Sequence, residues 1–236
     1  MTAAQPQTVQ DSPRSYEELM ALYGDMDSLG LLDAMINQEF KDRIALVSSF
    51  GAESIVLLDL VAQVNPATPV IFIHTQKLFG ETVRYRDKVA EQLGLTNIVT
   101  VKPDPVDVAN EDKNGLLWTR DTDACCDLRK VRPLARAMNE YDAWITGRKR
   151  FQSTTRNAIP LIEKDGSKIK INPLAHWNQD ELDQIIVQKG LPKHPLVDQG
   201  YPSIGCMPCT SPVEAGQDRR MGRWAAGGLC HAGSRQ

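Results

Sequence analysis

Four of the five cysteines in this 236-residue chain fall in two tight groups. Residues 123–130 read DACCDLRK, and about eighty residues later comes IGCMPCT. Adjacent side chains diverge, so Cys125-Cys126 does not suit a small-domain disulfide framework. Cys206 and Cys209 form a C-x-x-C in a Gly/Pro loop, the geometry in which two thiolates point at one metal. With Cys125 and Cys126 they make a four-thiolate set, and four sulfur ligands select zinc or an iron–sulfur cluster. Zinc sites use spaced pairs on both sides, a pattern that the direct Cys-Cys pair does not follow. The plainer alternative is a chance Cys-Cys beside a redox-active or inert C-x-x-C. Arg129, Lys130 and Arg132 flank the pair, and such cations could hold an anionic substrate beside the metal.

A second stretch, SSFGAES, offers the hydroxyls of Ser48, Ser49 and Ser54, with Gly51 letting the backbone pass close to a ligand. Its position before a helical pattern adds free N–H groups, which suit a phosphate or sulfate. The loop matches neither the P-loop NTPase nor the dinucleotide fingerprint, and a plain strand-to-helix turn with a serine cap is the competing reading. Further on, TGRKRFQSTTR sets Arg148, Lys149, Arg150 and Arg156 beyond a strand end, where α/β sheets bind ligands. The tail adds Arg219, Arg220 and Arg223. Any one of these cations reads best as a solvated side chain; their shared placement at one sheet edge, with His74, suits an anionic nucleotide.

The elements that must position these groups follow a βα rhythm. After helical patterns near 16–22 and 29–40, RIALVSSF, PVIFIH, NIVTV and AWITG read as short buried strands. ESIVLLDLVAQV and residues 79–93, stopped by Gly94, read as the helices between them. Strands alternating with helices predict a mostly parallel, Rossmann-like α/β sheet flanked by helices. Two apolar runs around Asp165-Gly166 predict a hairpin, and Asn178, Glu181 and Gly190 mark out one more helix. Residues 1–14 are expected to be disordered, 15–215 to form one nucleotide-binding domain, and 216–236 to be a mobile tail carrying Cys230.

Bulk composition excludes several classes. The hydrophobic share of 42% and charged share of 24% are ordinary, and a net charge of −3 argues against a nucleic-acid surface. No apolar run reaches a membrane span, and the polar start MTAAQPQTVQDSPRS lacks a signal-peptide core. The expectation is a cytoplasmic protein, where clustered cysteines mean metal or redox chemistry more often than structural disulfides.

Taken together, SSFGAES, CCDLRKVRPL, WITGRKRFQSTTR, KINPLAHW, YPSIGCMPCT and GRW resemble the assimilatory adenylylsulfate (APS) reductases of the PAPS reductase family, over residues 44–224. The resemblance implies an adenine nucleotide alpha hydrolase-like fold with a modified P-loop. It also implies a [4Fe–4S] cluster on Cys125, Cys126, Cys206 and Cys209. The implied reaction reduces APS to sulfite and AMP with electrons from thioredoxin, in sulfate assimilation and cysteine biosynthesis. Cys230 would be the nucleophile that forms a Cys–S–SO₃⁻ intermediate, assisted by Lys130 and His231. Ser48, Phe50, Gly51, Thr75, Gly147, Arg156, Arg220 and Arg223 would bind substrate. The chain departs from the family at His74-Thr75-Gln76, where Asp-Thr-Gly is usual, and in GRWAAGGLCHAGSRQ, where Cys230 follows Arg223 by seven residues. Alternatives are a PAPS reductase, or an adenylating ATP pyrophosphatase on the same fold, whose usual Ser-Gly-Gly-x-Asp-Ser loop is absent here. Self-association is left open.

Overall fold

Side chains that alternate between two buried faces demand a sheet covered on both sides, and the computed structural model has that layout. It describes residues 14–152, 158–214 and 216–223. Helix α1 (Tyr16–Tyr23) starts at a capping box between Ser15 and Glu18, and α2 (Ser28–Asp33) continues into a π-helical stretch, Ala34–Glu39. Then β1 (Ile44–Val47), α3 (Ser54–Val64), β2 (Val70–Ile73), α4 (Gly80–Leu93) and β3 (Ile98–Val101) follow in turn. Gly94 ends α4 at φ 67°, a left-handed cap that only glycine adopts without cost. Three short helices come next: α5 (Pro105–Glu111), α6 (Leu117–Arg120) and α7 (Thr122–Cys126). A π-helical turn, Asp127–Val131, joins α7 to α8 (Arg132–Met138). Strand β4 (Ala143–Ile145), the hairpin β5 (Ile162–Asp165) and β6 (Lys168–Ile171), and α9 (Gln179–Gln188) complete the regular elements.

The six strands lie in the order β3-β2-β1-β4-β6-β5, every neighbouring pair parallel except the β5–β6 hairpin. Along β1, Ile44 and Leu46 join the large core under α3, α4 and α9, while Ala45 joins the second core with Leu134 and Met138 of α8. Val70 and Phe72 against Ile71 and Ile73 repeat this alternation in β2, and Ala143 and Ile145 against Trp144 repeat it in β4. The period of two, buried on both faces, is what a helix-covered parallel sheet requires. Chain order reverses between β1 and β4, so a crevice opens beyond their carboxyl ends.

The hairpin turn holds Gly166 at φ 63°, and α9 carries the capping box between Asn178 and Glu181 that its sequence spacing predicts. No helix among the described residues is long and apolar enough to cross a membrane. Residues 1–13 and 224–236 lie outside the described residues, and with them most of the segments expected to be disordered or mobile.

Candidate active site

Beyond β1 the chain must turn sharply into α3. Phe50 takes φ 49°, a left-handed conformation that costs a non-glycine residue about 1 kcal/mol or more. Its ring offsets that cost by packing, fully buried, edge-on against Phe72 with centroids 5.5 Å apart. The turn is tied internally: Phe50 N–H donates to Ser48 Oγ (3.2 Å), and Ser54 Oγ donates to the Gly51 carbonyl (2.6 Å). Ser48, Ser49, Gly51 and Ser54 therefore face a cavity of about 570 Å³ at the β1/β4 switch point.

The other expected residues meet there. Thr75, Cys126, Lys130, Gly147, Cys206, Cys209, Arg220 and Arg223 all border the same cavity. Phe50 does not; it acts through the backbone turn and the core. Arg156, Cys230 and His231 lie outside the described residues. Among the described residues, six cations, Lys130, Arg148, Lys149, Arg219, Arg220 and Arg223, face two carboxylates, Glu53 and Asp218, a balance that suits an anion.

The three cations flanking the cysteine pair separate, contrary to their expected shared role. Arg129 is buried and turned inward, donating from Nη2 to Asp112 at 2.7 Å and from Nη1 to the Thr75 carbonyl at 3.1 Å and Gln76 Oε1 at 2.8 Å. Arg132 lies at the surface with Glu111 and Asp127. Only Lys130 borders the cavity. The cause is local: Pro133 has no N–H for the Arg129 carbonyl, and the helix passes that point through a π turn, with Arg132 N–H bonding Asp127 instead. That turn fixes which of the adjacent cations borders the cavity.

Cys125 packs in a small cluster with Leu117 and Leu128, and Cys126 faces the cavity. Burial pushes the Cys125 thiol up to about 11, opposed by Arg129 and reinforced by Cys206 and Cys209. The electrostatic influence places the C-x-x-C loop near Cys125. Cys209 is likewise raised, by burial and by Cys206. Among the described residues no three ligand-type side chains close to metal-ligand spacing. By donor chemistry alone, the free cysteines Cys125, Cys206 and Cys209 are of the type that a soft metal centre takes. Cys125 therefore keeps its proton at neutral pH, and binding a metal ion is the kind of event that would release it.

Arg223 closes this wall. It donates to the Ile204 carbonyl at 3.1 Å, and a short bridge pairs Thr210 with Arg223. Burial, and then Arg220, lower it to about 10, so it stays charged at neutral pH. Gly205 makes room for it: a Cβ there would lie 2.3 Å from the guanidinium. Sequence reasoning missed this role of Gly205, as it missed Glu53, whose carboxylate receives Lys149 and Gln152. Two acidic positions, Glu53 and Asp112, turn out to organise the cations.

A parallel sheet with its serine loop at the switch point and a cationic cavity beside it define an α/β enzyme of the nucleotide-binding kind. The chain belongs to the phosphoadenosine phosphosulfate reductase domain family, whose model matches residues 43–212. It is 49% identical to the adenosine 5'-phosphosulfate reductase of Mesorhizobium japonicum, over 88% of this chain and 82% of that protein. Identity to the enzyme of the same name from Geobacillus sp. is 39%, over 92% and 94%. Among solved structures, a Candida auris phosphoadenylyl-sulfate reductase in a phosphate complex superposes with TM-score 0.71 at 28% identity, covering 87% of this chain and 99% of that one. Yeast FAD synthetase, at 16% identity and TM-score 0.55, shares the fold.

Proposed function

We propose that this protein reduces adenosine 5'-phosphosulfate to sulfite and AMP in sulfate assimilation, with thioredoxin as electron donor. The observation that carries this reading is the single cavity in which the serine loop, Lys130, Arg220 and Arg223 stand beside Cys126, Cys206 and Cys209. Relatives bearing the name adenosine 5'-phosphosulfate reductase match most of the chain and support the same substrate.

Ser48, Gly51, Thr75 and Gly147 hold the nucleotide, while Arg220, Arg223 and Lys130 neutralise the phosphosulfate. Arg156 joins them. The Cys230 thiolate attacks the sulfate sulfur, the sulfur–oxygen bond to the phosphate breaks, and AMP leaves with that electron pair. Arginines beside the leaving phosphate stabilise the charge that develops there, and His231 in its protonated form favours the Cys230 thiolate. A thioredoxin thiolate then attacks the Cys230 sulfur and expels sulfite, and the second thioredoxin thiol resolves the mixed disulfide. Cys125, Cys126, Cys206 and Cys209 would hold a [4Fe–4S] cluster, whose irons and sulfides would tune the electrostatics of the site through its thiolate ligands.

An anaerobic assay of sulfite release, with APS and PAPS in parallel and thioredoxin present, tests this. APS should turn over faster, because a 3'-phosphate needs its own cations, and Arg148 is paired with Glu163 at 2.9 Å and Lys149 with Glu53 at 3.0 Å. Equal turnover of PAPS would overturn the substrate choice and leave the reductase class. No sulfite from either would overturn the reading.

A further inference from the structure

Six cations around one cavity repel one another, so something must hold them in place before an anion arrives. Glu53, at the start of α3, is set among them. Its Oε2 accepts from Lys149 Nζ at 3.0 Å and from Gln152 Nε2 at 2.9 Å, and its Oε1 lies 3.6 Å from Arg219 Nε. Lys149 is 2% exposed, so its charge has little water to rely on. Glu53 also acts electrostatically on Arg220. Three segments far apart in sequence thus meet on one carboxylate: the loop after β1, the 3-10 turn Arg150–Gln152 with Lys149 before it, and residues 216–223.

We infer that Glu53 is a positioning residue, whose carboxylate pre-assembles the cationic wall by tying the loop after β4 and the segment 216–223 to the nucleotide loop. The inference rests on the nucleotide-reductase reading above and adds a residue to it. Burial alone would raise the Glu53 carboxyl, but Lys149, Gln152 and Arg219 outweigh it and keep the acid below the usual range. The group is therefore a carboxylate when substrate binds. Lys149 is correspondingly a structural cation of the wall, and phosphosulfate contact falls to Arg220, Arg223 and Lys130.

This role has an unusual sign. By charge alone, removing a carboxylate from an anion-binding cavity should tighten anion binding. If Glu53 positions the wall, removing it should loosen binding instead, because the cations then repel with no carboxylate between them. Glu53→Gln keeps the shape and removes the charge. In the full-length protein, calorimetric affinity for AMP should fall about tenfold, a loss typical of a broken charged network. Hydrogen exchange without ligand should quicken at Gln152, Met221 and Arg223, whose amides are hydrogen-bonded in the native wall. A second variant, Glu53→Gln with Lys149→Met, also removes the buried charge that Glu53 balanced; its Tm should return toward wild type while AMP affinity and exchange stay impaired. Tighter AMP binding in Glu53→Gln, or normal affinity and exchange in the double variant, would overturn the inference. If the wild-type protein itself fails to bind AMP, the reductase reading falls, and the exchange measurements alone decide the role of Glu53.

Discussion

The hydroxyl of Thr75 lies 3.2 Å from the sulfur of Cys206, joining the loop after β2 to the C-x-x-C loop across 131 residues. Arg129 holds the Thr75 carbonyl from the other side, and Leu78 and Cys206 form a short antiparallel bridge. The cysteine pair, the nucleotide edge and the C-x-x-C loop are thereby one mechanical unit. Hydrogen bonds to ligand sulfurs tune a metal centre without supplying a ligand. Thr75→Val should therefore leave the iron count unchanged and shift the iron–thiolate stretching bands in resonance Raman spectra. Unchanged bands would mean that the hydroxyl makes no bond to a metal-bound sulfur.

Metal content separates the cysteines by role. Anaerobically purified protein should be brown with about four irons per chain, as a [4Fe–4S] cluster requires. Cys206→Ser should lose colour and activity together, whereas Cys230→Ser should keep the colour and lose sulfite release. A colourless protein with one zinc would exclude the cluster.

Adjacent cations should behave differently on substitution. Lys130 borders the cavity, so Lys130→Met should lower kcat/KM for APS on the order of a hundredfold, the usual scale for removing a charge beside a developing anion. Arg132 pairs with Glu111 and Asp127 at the surface, and such pairs contribute about 0–1 kcal/mol. Arg132→Met should leave kcat/KM within about twofold. Steady-state kinetics on the two variants, with equal iron content verified, checks the contrast.

Gly205→Ala should damage binding more than folding. The added Cβ would meet the Arg223 guanidinium at 2.3 Å, and a side-chain end can move where backbone cannot. Displacing Arg223 should raise the KM for APS about tenfold, the scale of one lost charged contact. Gly222→Ala makes the opposite control. Its Cβ would meet the Ser211 carbonyl oxygen at 2.1 Å, so there the thermal midpoint should fall as well.

Stability should depend on pH through His194. The ring is fully buried, accepts from Leu196 N–H at Nδ1 (3.2 Å) and meets Thr82 Oγ1 through Nε2 (3.1 Å), which fixes the neutral Nε2–H form. Burial lowers its pKa to about 4. Between the unfolded value near 6.5 and about 4, the unfolded chain binds a proton that the native ring refuses. Stability is therefore complete above the unfolded pKa and falls as pH drops through this window, by at most about 3 kcal/mol. Urea unfolding at pH 7 and pH 5 should show the decline, and His194→Asn should flatten this part of it.

The sequence by itself determined the layers and most of the vocabulary of the site. Period-two apolar runs in β1, β2 and β4, the glycine stop after α4 and the Asn178–Glu181 cap are local signals, because propensity and hydrophobic pattern act over a few residues. The four cysteines and the serine loop were legible for the same reason: their spacing encodes their chemistry. Tertiary structure decided which charges matter. Nothing local tells Lys130 from Arg129 and Arg132; the π turn beside Pro133 and the position of Asp112 just past α5 send one to the cavity, one to the core and one to the surface. Lys149 reads singly as a solvated charge, and only the meeting of the β1 and β4 loops makes it the buried partner of Glu53. Phe50 looked like a ligand contact and became a core residue, because the sharp turn after β1 drives its ring inward onto Phe72. Charge placement depends on partners outside the local window, 17 residues away for Arg129–Asp112 and 96 for Lys149–Glu53, and burial strengthens both pairings by removing the water that would screen them.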